Sequence, residues 1–358
     1  MEVIEMFLAI KEILHNKARY LLVVVTFVLI AYLVFFLTGL ATGLARNNRT
    51  AIDALPGDYV LMSKYANKNL LSSSLTKQQV DKVANKHTAV LGQVSVVAEN
   101  TSTDKKVNSN VFGINLAGKL KPTVTSGRMP RNNHEVLADD SVTNEGLHKG
   151  DRITLNGSDQ KYRIVGFTHD RRFYTVPVFY TTLTTFRQLK YGQANAANVS
   201  IVISSRPFKT IPAKTQQIDR ATLINNIPGY TAETSTFALM IGAMIGIMLL
   251  IIGIFMYILT IQKISMYGVM RAQGIRTRSI IAALFWQILI LAVVGVGIGA
   301  GLLGLTQFIL PKTMPFYANP ALFSSIAAAL IVMSLVGGLF SLRRIIKVDP
   351  LAAIGGGE

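Results

Sequence analysis

Four stretches of this 358-residue chain run for 25 or more positions without a charged residue: Tyr20–Leu44, Phe237–Ile261, Ser279–Leu310 and Ala318–Leu342. A helix of about 20 apolar residues crosses a hydrocarbon core of ~30 Å, so each run is long enough to span a membrane. Half of the residues are hydrophobic and the mean hydropathy is +0.40, well above a soluble domain of this length. The sequence therefore predicts an integral membrane protein with four spans. A cleaved leader does not fit the first run, because the apolar core of such a leader is only about 7–15 residues long.

Charge sets the expected orientation. The segment Thr260–Ser279, TIQKISMYGVMRAQGIRTRS, carries Lys263, Arg271, Arg276 and Arg278 with no acid, between the second and third runs. Short loops rich in Lys and Arg stay in the cytoplasm. Lys11, Lys17 and Arg19 precede the first span, and Arg343, Arg344 and Lys347 follow the last, whereas the short link 311–317 holds only Lys312. Both termini are expected inside a plasma membrane, with residues 45–236 outside. Residues 1–19 place Ile4, Phe7, Leu8, Ile10 and Leu14 at helical spacing, which predicts an amphipathic helix lying in the inner interface.

The expected order is thus an interfacial helix (1–19), a first span (20–44), an extracellular α+β domain (45–236), a second span (237–261), a cytoplasmic loop or short helix (262–278), a third span (279–310), a short outer loop (311–317), a fourth span (318–342) and a tail (343–358). Within the outer domain, β-branched runs predict strands at 59–62, 94–98, 107–114, 152–155, 162–168, 176–180 and 199–203. Helices are expected over 76–87, 183–190 and 213–225. Gly39/Gly43, Gly242/Gly246 and the series Gly295, Gly297, Gly299, Gly301 permit close helix approach.

Several chemistries are absent. The net charge of +17 would suit a nucleic-acid partner, but 25 of the 36 cations lie with 14 acids in the domain expected outside. A basic outer surface suits anionic lipids, wall polymers or an anionic substrate instead, or is simply solvated. With no cysteine there are no disulfides or thiol chemistry. No phosphate-cradling GxxxxGK[ST] loop, HExxH, GxSxG or DxDxDG motif occurs, and the five histidines sit singly. No resident metal, cofactor or enzymatic centre is expected. The spans hold no ionisable interior residue, which argues against an ion-coupled carrier. A translocator without ion relay or nucleotide site must take its energy from a separate ATPase.

One span, a large outer domain, then three spans with a basic loop after the second is a layout that resembles the MacB/FtsX-type permeases of ABC transporters, the mechanotransmission (type VII) class. The likeness is carried by FLAIKEILHNKARYLL at the start and by GRMPRNNHEVLADDSV, GLHKGDRITL and YRIVGF in the outer domain. IQKISMYGVMRAQGIRTRSI after the second span and the tail KVDPLAAIGGGE complete it. Within that class PKTMPFY, TIQKIS and the glycine-rich tail are similar to the HrtB-type haem-efflux permeases of Gram-positive bacteria. The resemblance implies a permease homodimer, two copies of a cytoplasmic ATPase binding ATP and Mg, and haem as transported substrate. Export of another amphiphile (peptide, antibiotic or lipid) and non-transporting regulation of a cell-wall hydrolase are the alternatives.

On that resemblance the basic loop is the ATPase-coupling element, with Lys263, Met266, Met270, Arg271 and Arg276 as its residues. Met266, Val269 and Met270 would form an apolar knob beside Arg271. For an amphiphilic macrocycle, Met240 and Met244 share one face of the second span, and Tyr230 and Glu233 stand just before it. The stretch HDRRFY adds Arg171, Arg172 and Tyr174. Thioether and phenolate ligate haem iron, and Arg pairs with propionates. Methionine in a span is also ordinary packing filler, and tyrosine at its end ordinary belt.

Overall fold

The computed structural model describes residues 2–311 and 313–346. The KVDPLAAIGGGE tail and Lys312 lie outside the described residues. In chain order the elements begin with α1 (Glu2–His15), α2 (Lys17–Asp53), β1 (Tyr59–Ser63), α3 (Lys77–Asp81), β2 (Thr88–Asn100), β3 (Lys106–Ile114), β4 (Ser126–Gly127) and β5 (Glu135–Asp139). They continue with β6 (Arg152–Leu155), β7 (Lys161–Thr168), β8 (Arg172–Phe173), β9 (Val176–Thr182), α4 (Leu183–Tyr191), β10 (Ile201–Ser204), β11 (Thr215–Asp219) and α5 (Arg220–Asn225). The chain then forms α6 (Tyr230–Ile261), α7 (Ile264–Ala272), α8 (Thr277–Ile309) and α9 (Pro320–Ile346). Its described residues divide into a helical unit, up to Thr42, from Ser235 to Pro311 and from Phe316 onward, and a sheet unit of Gly43–Thr234 with residues 313–315.

Among the described residues four helices are long and apolar enough to cross a membrane: α2, α6, α8 and α9 from Pro320 to Gly338. In the helical unit Tyr20, Val23, Phe27, Ala31 and Val34 of α2 repeat every three or four positions and are buried against Leu284, Ile288, Leu291 and Val296 of α8. Leu21, Leu22, Val25 and Leu29 on the opposite face are exposed, which in water would be a liability and in lipid is the norm.

Small residues decide where helices touch. A Cβ on Gly295 would lie 2.3 Å from Cβ of Phe27, and one on Gly299 would lie 3.0 Å from Cβ of Ala31, so α8 meets α2 at these two positions. Gly337 of α9 meets the Leu249 carbonyl of α6, where an added Cβ would sit 2.5 Å away. Among the described residues, a Cβ added at Gly242, Gly246, Gly297 or Gly301 would meet nothing from another element within 4 Å.

The sheet unit is an eleven-stranded sheet in the order β11-β1-β10-β2-β3-β9-β5-β7-β4, with β6 on β2 and β7 and β8 on β9. Only β3–β9 and β5–β7 run parallel. Helix α4 caps the sheet through Phe186, which fills the space above Gly92 and Gly113; a Cβ there would sit 2.2 and 2.3 Å from its atoms. Gly127 and Gly166 let β4 and β7 pair at a backbone separation no side chain would allow. The glycine- and charge-rich string beginning at Gly127 is therefore built for folding. Arg128 clasps Glu135 with both guanidinium nitrogens, at 2.7 and 2.5 Å, and the Arg131 amide donates to the same carboxylate at 2.8 Å.

Two expectations are corrected. Residues 213–225 are not one helix: Thr215–Asp219 pairs along the whole of β1, and the helix starts only at Arg220, capped by Asp219. The unpaired edge of β1 outbids the helical propensity of TQQID. Residues 76–87 keep the Thr76 cap, completed by Gln79, but helix lasts only to Asp81, because Asn85 and Thr88 close a turn leading into β2. The strand Glu135–Asp139 was missed, and β2 is longer than its apolar core.

Helices α2 and α6 also exceed the apolar runs. Helix α2 continues through polar residues to Asp53, held by the Arg49–Asp53 pair at 3.1 Å, and stops before Pro56-Gly57. Helix α6 starts directly after Pro228-Gly229.

Gly295→Leu is expected to destabilise the detergent-solubilised monomer by about 1–3 kcal/mol through overpacking, whereas Gly297→Leu leaves its melting temperature unchanged. Arg128 holds the Glu135 carboxyl at about 2, down from 4.5. A carboxylate with a depressed pKa stabilises the fold above its unfolded value and loses that contribution as pH falls from about 4.5 to about 2. Glu135→Gln should cost about 1 kcal/mol at pH 7 after solvent screening and flatten the melting temperature across that acid window.

Candidate functional site

The basic segment after α6 does not hang free. Lys263, with only 13% of its side chain exposed, forms an ion pair with Glu12 of α1 and donates to the Tyr20 hydroxyl of α2 at 2.9 Å. Gln287 of α8, itself buried, donates its amide to the same hydroxyl. Arg19 adds a hydrogen bond to Gln262 at 2.6 Å. Residues drawn from α1, α2, the α6–α7 junction and α8 thus meet at one point. Burial pulls the Lys263 amine down to about 8. Next to this cluster lies a cavity of about 260 Å³ lined by Lys11, His15, Tyr267, Met270 and Leu284. The Tyr267 hydroxyl is buried without a hydrogen-bond partner, and burial raises its pKa.

Helix α7 presents a different face outward from the one expected. Met266 and Val269 are exposed at 44% and 45%, but Met270 packs inward against the helical core. Its place is taken by Ile275, which follows Gly274. That glycine has φ +84°, and the Ile275 amide bonds back to the Met270 carbonyl, closing the helix and turning Ile275 out. Arg276 and Arg278 are exposed beside it, and Arg271 is half-buried. So Met266 and Arg276 lie on the accessible face, Lys263 and Met270 serve the interior, and Ile275 went unread in the sequence. The RAQGI string held the only clue, a glycine where a helix could end.

In the sheet unit Arg171, Arg172 and Tyr174 lie at a tight hairpin. Residues Tyr174 and Thr175 form the two-residue loop between β8 and β9, with φ of +54° and +65°. Such a loop normally takes Asn-Gly; side chains like these hold positive φ only at a cost of about 1–3 kcal/mol each. The compensation comes from α2, whose Asn48 and Asn47 carbonyls accept the Tyr174 and Thr175 amides at 3.0 and 3.2 Å. Arg46 pairs with Asp170, and Thr50 Oγ1 accepts the Arg172 amide at 2.9 Å. The Tyr174 ring is left 42% exposed at the tip.

Asn48, buried and also unread in the sequence, extends its amide to Glu233 Oε2 at 3.4 Å, while Glu233 Oε1 has no hydrogen-bond partner. Glu233 and the Tyr174 hairpin are therefore linked through one residue. Arg171 spends its guanidinium on the carbonyls of His169 and Asp170, and Arg172 leans toward buried Asp139. Tyr230 does not join them: it is 9% exposed and packed in the sheet-unit core with Phe173 and Leu223.

Residues 238–350 match the FtsX family, described as the FtsX-like permease C-terminal. Over 98% of this chain and 99% of the other, the sequence is 28% identical to a Staphylococcus haemolyticus protein with the provisional name hemin transport system permease protein HrtB. It is 27% identical, at the same coverage, to an uncharacterized ABC transporter permease of Mycobacterium tuberculosis. Residues 238–350 form an FtsX-like permease domain, and the whole chain is similar to ABC transporter permeases. Among solved structures, the periplasmic region of MacB from Actinobacillus actinomycetemcomitans aligns with 50% of this chain and 97% of its own, at 12% identity and a TM-score of 0.34.

The three methionines of α6 grade from exposed to buried: Met240 is 42% exposed, Met244 is half-buried against the core, and Met248 is wholly buried. Only Met240 is accessible in the single chain. Among the described residues no group of three His, Asp or Glu side chains could hold a metal ion.

Removing Glu12 strands a buried ammonium. Glu12→Ala should cost about 3–5 kcal/mol in thermal unfolding, and exchanging both partners for apolar residues, Glu12→Leu with Lys263→Met, should recover most of that loss.

Proposed function

We propose that this permease, as a homodimer with two copies of a cytoplasmic ATPase, extrudes haem from the plasma membrane. The observation that carries the reading is the end-to-end likeness to a relative named for hemin transport, which spans both units. The sidedness follows from charge: the segments holding Lys263, Arg271, Arg276 and Arg278 and the flanks of α2 and α9 lie inside, and the sheet unit outside. With no nucleotide motif of its own, the permease takes work from ATP, with Mg, bound by its partner.

The accessible face of α7, formed by Met266, Val269, Ile275 and Arg276, is the surface offered to that ATPase. Its connection through Lys263 and Glu12 supports the coupling role, since a push on α7 reaches α1, α2 and α8 through one buried cluster. The open glycines Gly242, Gly246, Gly297 and Gly301 support a second permease copy packing there. For haem, the exposed Tyr174 ring suits stacking or ligation, and Met240 is the accessible thioether. Arg171 and Arg172 contribute positive potential toward propionates rather than free side chains.

Haem titration of the purified permease–ATPase complex, followed by its Soret absorbance, tests the proposal. Tyr174→Ala is expected to weaken haem binding about tenfold or more, and Tyr230→Phe to leave it unchanged. Absence of any Soret change in the wild-type complex, with ATP hydrolysis stimulated instead by a peptide or lipid, would replace haem with that cargo. Met266→Ser with Ile275→Ser should abolish permease-stimulated ATP hydrolysis while leaving membrane assembly intact; undiminished hydrolysis would refute the coupling surface.

A further inference from the structure

The sheet unit carries a second charged feature far along the chain from the Tyr174 hairpin. Two concave basins, of about 400 and 430 Å³, share one rim, the turn Ala84–Lys86 that precedes β2. Lys86 and Lys119 line the first; Lys82, Lys86, His87, Arg206 and Lys209 line the second. The four lysines and Arg206 are exposed. No carboxylate lines either basin: Asp81, the nearest acid in sequence, is outside both. None of these cations forms an ion pair with a described carboxylate, and Lys119 is held on the Lys86 carbonyl. The local potential is felt by His87, whose pKa is lowered by partial desolvation and then by the charges of Arg206 and Lys119.

Evolution rarely leaves five cations together without counter-charge on a surface that also carries 14 acids, because like charges repel and cost stability. The arrangement also specifies the anion. Four of the five are lysines, compact charges that follow a phosphate in any orientation, whereas planar carboxylates favour the forked guanidinium of arginine. Two basins on either side of a single turn suit successive charges along one chain better than one compact ion. A nucleic acid would call for exposed aromatic platforms, and the rings here, His87 and Phe208, are both half-buried.

We propose that these twin basins bind a base-free polymer of phosphate groups, either inorganic polyphosphate or a phosphodiester-linked polyol chain. The site is separate from the transport reading and stands or falls without it. Binding is electrostatic and releases counterions, so it weakens steeply with salt.

The test uses the full-length permease in phosphatidylcholine nanodiscs, with labelled poly(glycerol phosphate) and labelled polyphosphate as probes in fluorescence anisotropy. Replacing Lys82, Lys86, Arg206 and Lys209 together by Glu is expected to weaken binding of at least one probe by about tenfold or more. The four positions are exposed, so the fold persists. A control variant with the same charge change elsewhere on the sheet unit, Lys64, Lys68, Lys149 and Lys161 to Glu, is expected to bind within about twofold of wild type. Whichever probe binds tighter identifies the source. Equal loss in both variants would show that net charge, not the basins, attracts the polymer, and no loss in either would place binding elsewhere. Inorganic phosphate competing as well as polymer at equal phosphate concentration, or an oligothymidylate binding more tightly than both probes, would also overturn the proposal.

Discussion

The half-buried ion pair between Glu12 and Lys263 is the interaction on which the arrangement of the helical unit depends. Taking two charges out of water is expensive, and the pair is tolerable because the Tyr20 hydroxyl, itself held by the Gln287 amide, accepts a further hydrogen bond from Lys263. Each of these groups comes from a different element. The geometry is therefore met only when α1, α2, α8 and the α6–α7 junction are all in place, and apolar ridges alone, which slide at little cost, would not enforce that. The same demand ties α7 to the other three helices, because a displacement there cannot be absorbed locally without exposing a charge.

The sheet unit shows a second case of local cost met by tertiary contact. Tyr174 and Thr175 occupy positive φ because the polar extension of α2 offers two carbonyls and a hydroxyl along one side of the hairpin. The strain leaves an exposed phenol at the tip and ties it, through Asn48, to Glu233 at the start of α6. Strained backbone at an exposed aromatic is characteristic of working sites. By contrast, the string of glycines and charges from Gly127 to Gly166, the most motif-like part of the domain, turns out to hold the sheet together.

The residues expected to act together are sorted differently by packing. Met240, Met244 and Met248 are equivalent by spacing, yet neighbours differ along the helix, so one is accessible and one is core. Tyr230 has the same chemistry as Tyr174 but lies where α6 leaves the sheet unit and is consumed by its core. Met270 and Ile275 exchange roles because Gly274 turns the chain. None of these outcomes is visible from residue type and period alone.

Length and hydropathy determined that there are four spanning helices and a polar domain inserted after the first, because hydrocarbon thickness and the cost of burying charge admit few other readings. The family resemblance was likewise legible, being carried by short strings spread along the chain. Tertiary structure alone decided that residues 215–219 form a strand, since the edge of β1 lies more than 150 positions away. It also decided that Lys263 is a buried tether, that Asn48 bridges to Glu233, and that five cations gather around one turn. Each depends on what distant segments bring into contact, and desolvation and pairing act between neighbours in space, which the order of residues does not list.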